Sequence, residues 1–123
     1  MPFAVAVALT RPAPPGAARA EAARQAARAE LPDGYDALID VLERVSAAVP
    51  GCRMVGDSTQ LTYAGNLYFG PSGPSRWFNA ATGYGALGYG PPAAIGAALG
   101  DPDTPVICLT GDGGLQFCLA ELG

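Results

Sequence analysis

Asp112 stands in a run of glycines, Gly111-Asp112-Gly113-Gly114, directly after the apolar stretch Val106 to Leu109. That stretch is a continuous run with β-branched residues and reads as a strand buried on both faces, as in a parallel sheet. After the glycines, Leu115, Cys118, Leu119 and Leu122 fall at i, i+3, i+4 and i+7, one face of a helix. The order is therefore strand, Gly-rich turn with one carboxylate, helix. Glycines let backbone approach a ligand closely, and the start of a helix offers free N–H groups to an anion. Asp112 would repel a phosphate placed there. A divalent cation resolves the conflict, because one carboxylate plus phosphate oxygens is an ordinary way to hold Mg²⁺. The competing reading is a hairpin turn at Asp112-Gly113, against which the helical spacing downstream counts.

Two further stretches carry polar or glycine-rich chemistry. Asp57-Ser58-Thr59-Gln60 follows the short strand expected over Arg53 to Gly56, at the end of a strand where open α/β sheets bind ligands. Asp57 is equally readable as a turn or helix-cap residue. Thr82 to Gly90 holds four glycines and two tyrosines, and Pro91-Pro92 then suit the first turn of a helix, where no N–H is needed.

Composition excludes several classes. The chain has 123 residues, enough for one small domain, and a net charge of −4 with seven arginines and no lysine. It offers no basic field for nucleic acid. Histidine is absent, so proton transfer must use carboxylates, a cofactor or another chain. The odd set Cys52, Cys108 and Cys118 reads as reduced core thiols of a cytoplasmic protein rather than disulfides or a metal site. Met1 to Leu9 is apolar but short and has no basic residue before it, so it reads neither as a signal peptide nor as a membrane span.

The elements that must position these stretches are legible by period. Met1 to Leu9 is a strand or the end of a helix, and Arg11 to Gly16 is a Pro-rich linker. Ala17 to Glu30 has good helix propensity but almost no apolar side chain larger than Ala, as in a surface or linker helix. Leu31 to Gly34 is a break. Tyr35, Leu38, Ile39, Leu42, Val45 and Val49 share a helical face opposite Asp36, Asp40, Glu43 and Arg44, and Pro50-Gly51 ends that helix. Leu61 to Phe69 is aromatic-rich and readable as a helix, Gly70 to Ser75 is loop, and Trp77 to Asn79 is a short strand. Ala93 to Leu99 is a helix whose small residues permit close packing on a sheet. Alternation of helix and strand predicts an α/β fold with about three parallel strands.

Gly111-Asp112-Gly113 resembles the metal-diphosphate motif of thiamine diphosphate enzymes. Upstream, Gly85-Ala86-Leu87-Gly88-Tyr89-Gly90-Pro91-Pro92-Ala93-Ala94-Ile95-Gly96 resembles the run that precedes this motif in the acetolactate synthase and 2-oxo acid decarboxylase group. The resemblance covers roughly Tyr35 to Gly123. It implies a partial three-layer domain with a parallel sheet, truncated at the C-terminus. Residues 1–34 would then be the tail of a preceding domain and a connector, and 35–123 the first part of the thiamine diphosphate-binding domain.

The implied cofactors are thiamine diphosphate and Mg²⁺, with Asp112 as metal ligand. Asp57, Ser58, Thr59, Gln60, Gly85, Ala86, Leu87, Gly111, Asp112, Gly113 and Gly114 are the implied cofactor-binding residues. Leu87 takes the catalytic part of the family's bulky apolar residue that props the bent cofactor; its plain alternative is an ordinary core residue. The family's activating glutamate comes from a separate domain, usually a partner subunit's, and nothing here matches it. Its second metal ligand, an Asn roughly 25 to 30 residues beyond the turn, lies past Gly123. The expectation is a piece of a larger lyase, inactive alone, whose parent is a homodimer or homotetramer acting on a small 2-oxo acid, without nucleic acid or membrane. Asp57 to Gln60, Trp77 to Asn79 and Gly113 to Phe117 point within the family to the 5-guanidino-2-oxopentanoate decarboxylase branch. An acetolactate synthase-type carboligase and a non-catalytic Mg²⁺-diphosphate-binding fragment are the alternatives.

Overall fold

The structure, a computed structural model, describes residues 16 to 122. The expectations for Met1 to Leu9 and for the linker beginning at Arg11 fall outside the described residues, Gly16 excepted. The chain divides into two compact units between Glu30 and Leu31. In the first, helix α1 (Ala17–Ala29) buries no residue, and its Glu21 accepts hydrogen bonds from Arg24 and Gln25 on the exposed surface.

The second unit runs α2 (Tyr35–Ala48), β1 (Arg53–Gly56), α3 (Gln60–Tyr68), β2 (Trp77–Asn79), α4 (Gly90–Gly100), β3 (Val106–Leu109) and α5 (Asp112–Gln116). Short 3-10 turns follow β2 and close the described chain at Leu119–Leu122. Gly34 and Gly51 take positive φ on either side of α2, which is where the sequence breaks its helical period. Thr59 caps α3 by accepting a hydrogen bond from Thr62 N through its side chain.

The strands form one parallel sheet in the order β2-β1-β3, with β1 in the middle. Met54 is in register with Trp77 and Ile107, and Val55 with Phe78 and Cys108. Because side chains alternate along a strand, these two rows face opposite layers. Met54, Trp77, Ile107 and Leu109 pack with Leu42 and Val45 of α2 and Leu61 of α3. The Val55 row faces α4, which packs on β1 and β3. The result is the expected α/β sandwich: two helices, a three-stranded sheet, one helix.

The burial of β3 differs from expectation. Val106, Ile107 and Leu109 are only partly buried and Cys108 is exposed, so of the three thiols only Cys52 and Cys118 lie in the interior. β3 is an edge strand, and an apolar run reports an appetite for burial rather than its fulfilment. Helix α4 shows the same mismatch. It carries no polar side chain, yet Ile95 and Leu99 on it are 46% and 77% exposed.

Layer spacing depends on missing side chains. A Cβ on Gly65 of α3 would lie 2.4 Å from the Trp77 ring and 3.0 Å from Leu42 Cδ1. Trp77 cannot swing aside freely, because its Nε1 donates to Asn66 Oδ1 at 2.8 Å and its ring packs on Phe69 with centroids 5.3 Å apart. Gly65→Ala therefore overpacks this contact at about 1–3 kcal/mol, which exceeds or cancels the helix-propensity gain of about 1 kcal/mol. The expected result in urea unfolding is a lower midpoint; a raised midpoint would show that the layers can spread at no cost.

Candidate functional site

Residues 56 and 57 lie at the carboxyl end of the central strand. Asp57 continues the alternation of Val55, so its side chain turns to the α4 side, where it is fully buried. Asp57 N donates to Leu109 O at 2.8 Å, joining the ends of β1 and β3. The carboxylate then serves three amides. Oδ1 accepts from Ser58 N at 2.8 Å; Oδ2 accepts from Gly88 N at 2.8 Å and Gly90 N at 3.2 Å. Two glycines make room for it. A Cβ on Gly90 would stand 3.1 Å from Asp57 Cβ, and one on Gly114 would stand 2.8 Å from Asp57 Oδ2.

The other expected residues follow from this centre. Ser58 Oγ donates to Gly85 O at 3.3 Å, drawing the loop after β1 to the loop before α4. Thr59 spends its hydroxyl on capping α3, and its Cγ2 lies 3.5 Å from where a Cβ on Gly111 would stand. Gln60 is exposed, and its Oε1 accepts from the Tyr35 hydroxyl at 3.0 Å. Gly85 and Gly88 have φ of +73° and +83°, so the backbone reverses on both sides of Ala86-Leu87. Leu87 is 51% exposed, which removes it from the core of this chain. Gly88 also meets α5, since a Cβ there would lie 2.7 Å from Phe117 Cβ.

After β3 the chain enters helix at Asp112 itself, with Gly111 as its cap residue, so the hairpin alternative does not apply. Gly111 and Asp112 have no side-chain cap, and the Asp112 side chain is exposed and makes no ion pair among the described residues. Loops following all three parallel strands thus meet at one end of the sheet, and the expected residues gather there, with Gln60 turned to α2. Sequence reasoning missed the amides of Gly88 and Gly90 as partners of Asp57, and the Asn66–Trp77–Asn79 side-chain network that braces β2 against α3. The first had a faint signal in the spacing of glycines before Pro91. The second had none, since amide partners 13 residues apart carry no local pattern.

The site tests a Mg²⁺-diphosphate group in two ways. No group of three or more His, Cys, Asp or Glu side chains that could hold a metal exists among the described residues. A metal here would have one protein carboxylate, Asp112, and would need oxygens from elsewhere, which is how Mg²⁺ binds with substrate phosphates. Space is also present: nothing lies within 4 Å of a Cβ position on Gly85 or Gly113. The residues fit the group.

A family model described as thiamine pyrophosphate enzyme, C-terminal TPP binding domain, matches residues 57–123. The chain belongs to the thiamine pyrophosphate enzymes. It is 45% identical over 112 residues to a probable 2-ketoarginine decarboxylase, AruI, of Pseudomonas aeruginosa, a match covering 90% of this chain and 19% of that protein. It is 34% identical over 97 residues to a putative acetolactate synthase large subunit, IlvX, of Mycobacterium tuberculosis, covering 79% of this chain and 19% of that protein. Against acetolactate synthase isozyme 3 large subunit of Escherichia coli the identity is 43% over 56 residues, or 46% of this chain and 10% of that protein. The chain spans about a fifth or less of the length of these relatives. No solved structure matches it significantly. No helix among the described residues is long and apolar enough to cross a membrane.

Cys108 is exposed as a residue, but its sulfur lies against Gly90 at the start of α4, and this partial desolvation pushes the thiol above its ordinary range, with the Asp57 carboxylate and Cys118 adding to the effect. A thiol raised in this way holds little thiolate at neutral pH. Cys108 is accordingly expected to alkylate with iodoacetamide more slowly than a free cysteine at pH 8, and to catch up only as the pH rises past the normal thiol range. Mass-spectrometric labelling rates against pH check this; a rate at Cys108 matching free cysteine at pH 8 would contradict it.

Proposed function

We propose that this chain supplies the diphosphate- and Mg²⁺-binding part of a thiamine diphosphate-dependent 2-oxo acid decarboxylase. The observation that carries the reading is the match to the 2-ketoarginine decarboxylase, which runs through 90% of the chain rather than through the motif region alone. 2-Ketoarginine is 5-guanidino-2-oxopentanoate, so a guanidino 2-oxo acid is the substrate proposed. A carboligase of the acetolactate synthase type is the second reading, favoured by several relatives matched over about half of the chain. The full-length parent would work as a homodimer or homotetramer.

When bound, thiamine diphosphate supplies a nucleophilic ring carbon and an electron sink for the bond that breaks as carbon dioxide leaves. This chain's residues bind and orient. Asp112 would hold Mg²⁺ through its carboxylate, and Gly111 and Gly113 would leave room for the diphosphate, with the Gly114 backbone behind them set against Asp57. Ser58 holds the loop at Gly85, and Thr59 fixes the start of α3 beside Gly111. Ala86 and Leu87 project from the loop between two reversed glycines, and Leu87 has half of its surface available to prop a ligand.

Two substitutions in the full-length enzyme separate these roles. Asp112→Ala is expected to abolish Mg²⁺-dependent binding of thiamine diphosphate while leaving the fold intact, because the side chain makes no ion pair among the described residues. Titration of the cofactor with and without Mg²⁺ decides it; metal-dependent binding at wild-type strength would remove Asp112 from the site.

Leu87→Ala is expected to lower turnover more than cofactor affinity, since the lost contact shapes the reactive geometry and not the diphosphate anchor. Steady-state decarboxylation of a panel of 2-oxo acids, including the guanidino one, reads both. Equal loss of turnover and affinity would return Leu87 to a packing role.

A further inference from the structure

We infer that Asp57 is a positioning residue and not a ligand: its buried carboxylate fixes the loop that carries Leu87, an assignment that rests on the proposed function for its catalytic consequence. The carboxylate is fully buried, and no hydrogen-bonding side-chain atom buried in the described chain lacks a partner. Its partners are all backbone amides, on Ser58, Gly88 and Gly90. Both oxygens are thus occupied inside the protein. Gly90 is the first residue of α4, whose preceding residue Tyr89 supplies no side-chain cap, so Asp57 takes the place of a cap from another strand.

The geometry explains why this residue and no other. An acid at position 57 lies on the α4 face, under the start of α4, and within touching distance of Gly114 in α5. It therefore holds the loop at two amides just after Leu87, at the hinge residue Gly88 and at Gly90, and packs against the helix that bears Asp112. Gly88 and Gly90 lie 31 and 33 residues downstream, so nothing local holds them there. Without the carboxylate, two inward-facing amides lose their acceptor, and the segment is left held at its Gly85 end by Ser58 but unattached after Leu87.

The test is amide hydrogen exchange, read by mass spectrometry at residue resolution, on the full-length enzyme without cofactor, beside steady-state kinetics. In the wild type, Gly88 and Gly90 are expected to exchange well below the intrinsic rate. In Asp57→Ala their protection is lost while β1 and β3 stay protected. Turnover at saturating cofactor is then expected to fall by about 10- to 100-fold, the scale of a misplaced reacting group, with a smaller change in cofactor affinity. Asp57→Asn keeps one acceptor oxygen and recovers part of both losses.

Unprotected Gly88 and Gly90 in the wild type would overturn the assignment even if neither variant folds. So would unchanged protection in Asp57→Ala, or lost protection with normal turnover. Weakened cofactor binding with normal turnover at saturation would make Asp57 a direct ligand instead. Because the exchange measurement needs no cofactor, protected glycines in an enzyme that binds no thiamine diphosphate would support the clamp and sink only the proposed function.

Discussion

A carboxylate taken out of water must find its hydrogen bonds inside the protein, and Asp57 finds three. Bonds from amides to a carboxylate are each worth about 1.5–3 kcal/mol, but the more consequential property is that they span the fold. One anchors the residue's own loop, and two hold a segment more than thirty residues away. Through its backbone amide the same residue also joins β1 to β3. Three loops that would otherwise end independently are held as a single surface.

Glycine is the complement of that carboxylate. Gly90 and Gly114 give the Asp57 side chain its space, Gly88 lets Phe117 at the end of α5 approach, and Gly65 lets the Trp77 ring of β2 come up against α3. At Gly65, Gly88 and Gly114 the contact is closer than a side chain would permit, and at Gly90 it is tighter than a side chain ordinarily makes. The sheet end is consequently built of backbone, which would suit the diphosphate proposed for it, because backbone amides can be brought close without carrying formal charge of their own.

Much of the fold was legible because its signals are local. The apolar face from Tyr35 to Val49 marked α2, the paired prolines marked the start of α4, and the apolar run from Val106 to Leu109 marked β3. The helical spacing after Gly114 was right about α5 but overstated its length, since regular helix stops at Gln116 and a 3-10 turn follows. The burial of β3 was not legible. Val106 to Leu109 has the composition of a central strand, yet β3 is an edge, because burial is decided by what else packs on the face. The convergence of the loops around Asp112 and the glycine-rich run was legible, and the hydrogen-bond network that joins them was not. Asp57 could be read as a cap or as a ligand neighbour from its surroundings alone; that it would accept from Gly88 and Gly90 is a property of the register between strands. Thr59 behaves as sequence logic says a Thr before a helix should, and Gln60 meets a tyrosine that no pattern associates with it.

The reversed backbone at Gly85 and Gly88 has an evolutionary corollary. The hinge glycines answer to geometry, whereas Ala86 and Leu87 between them are exposed and answer to little within this chain. Mutation at those two positions is therefore largely uncoupled from folding. A lineage, or a laboratory library, can sample side chains of different length and branching there while the scaffold of this chain stays fixed, so variation at this point is answerable to whatever the loop touches rather than to the packing beneath it.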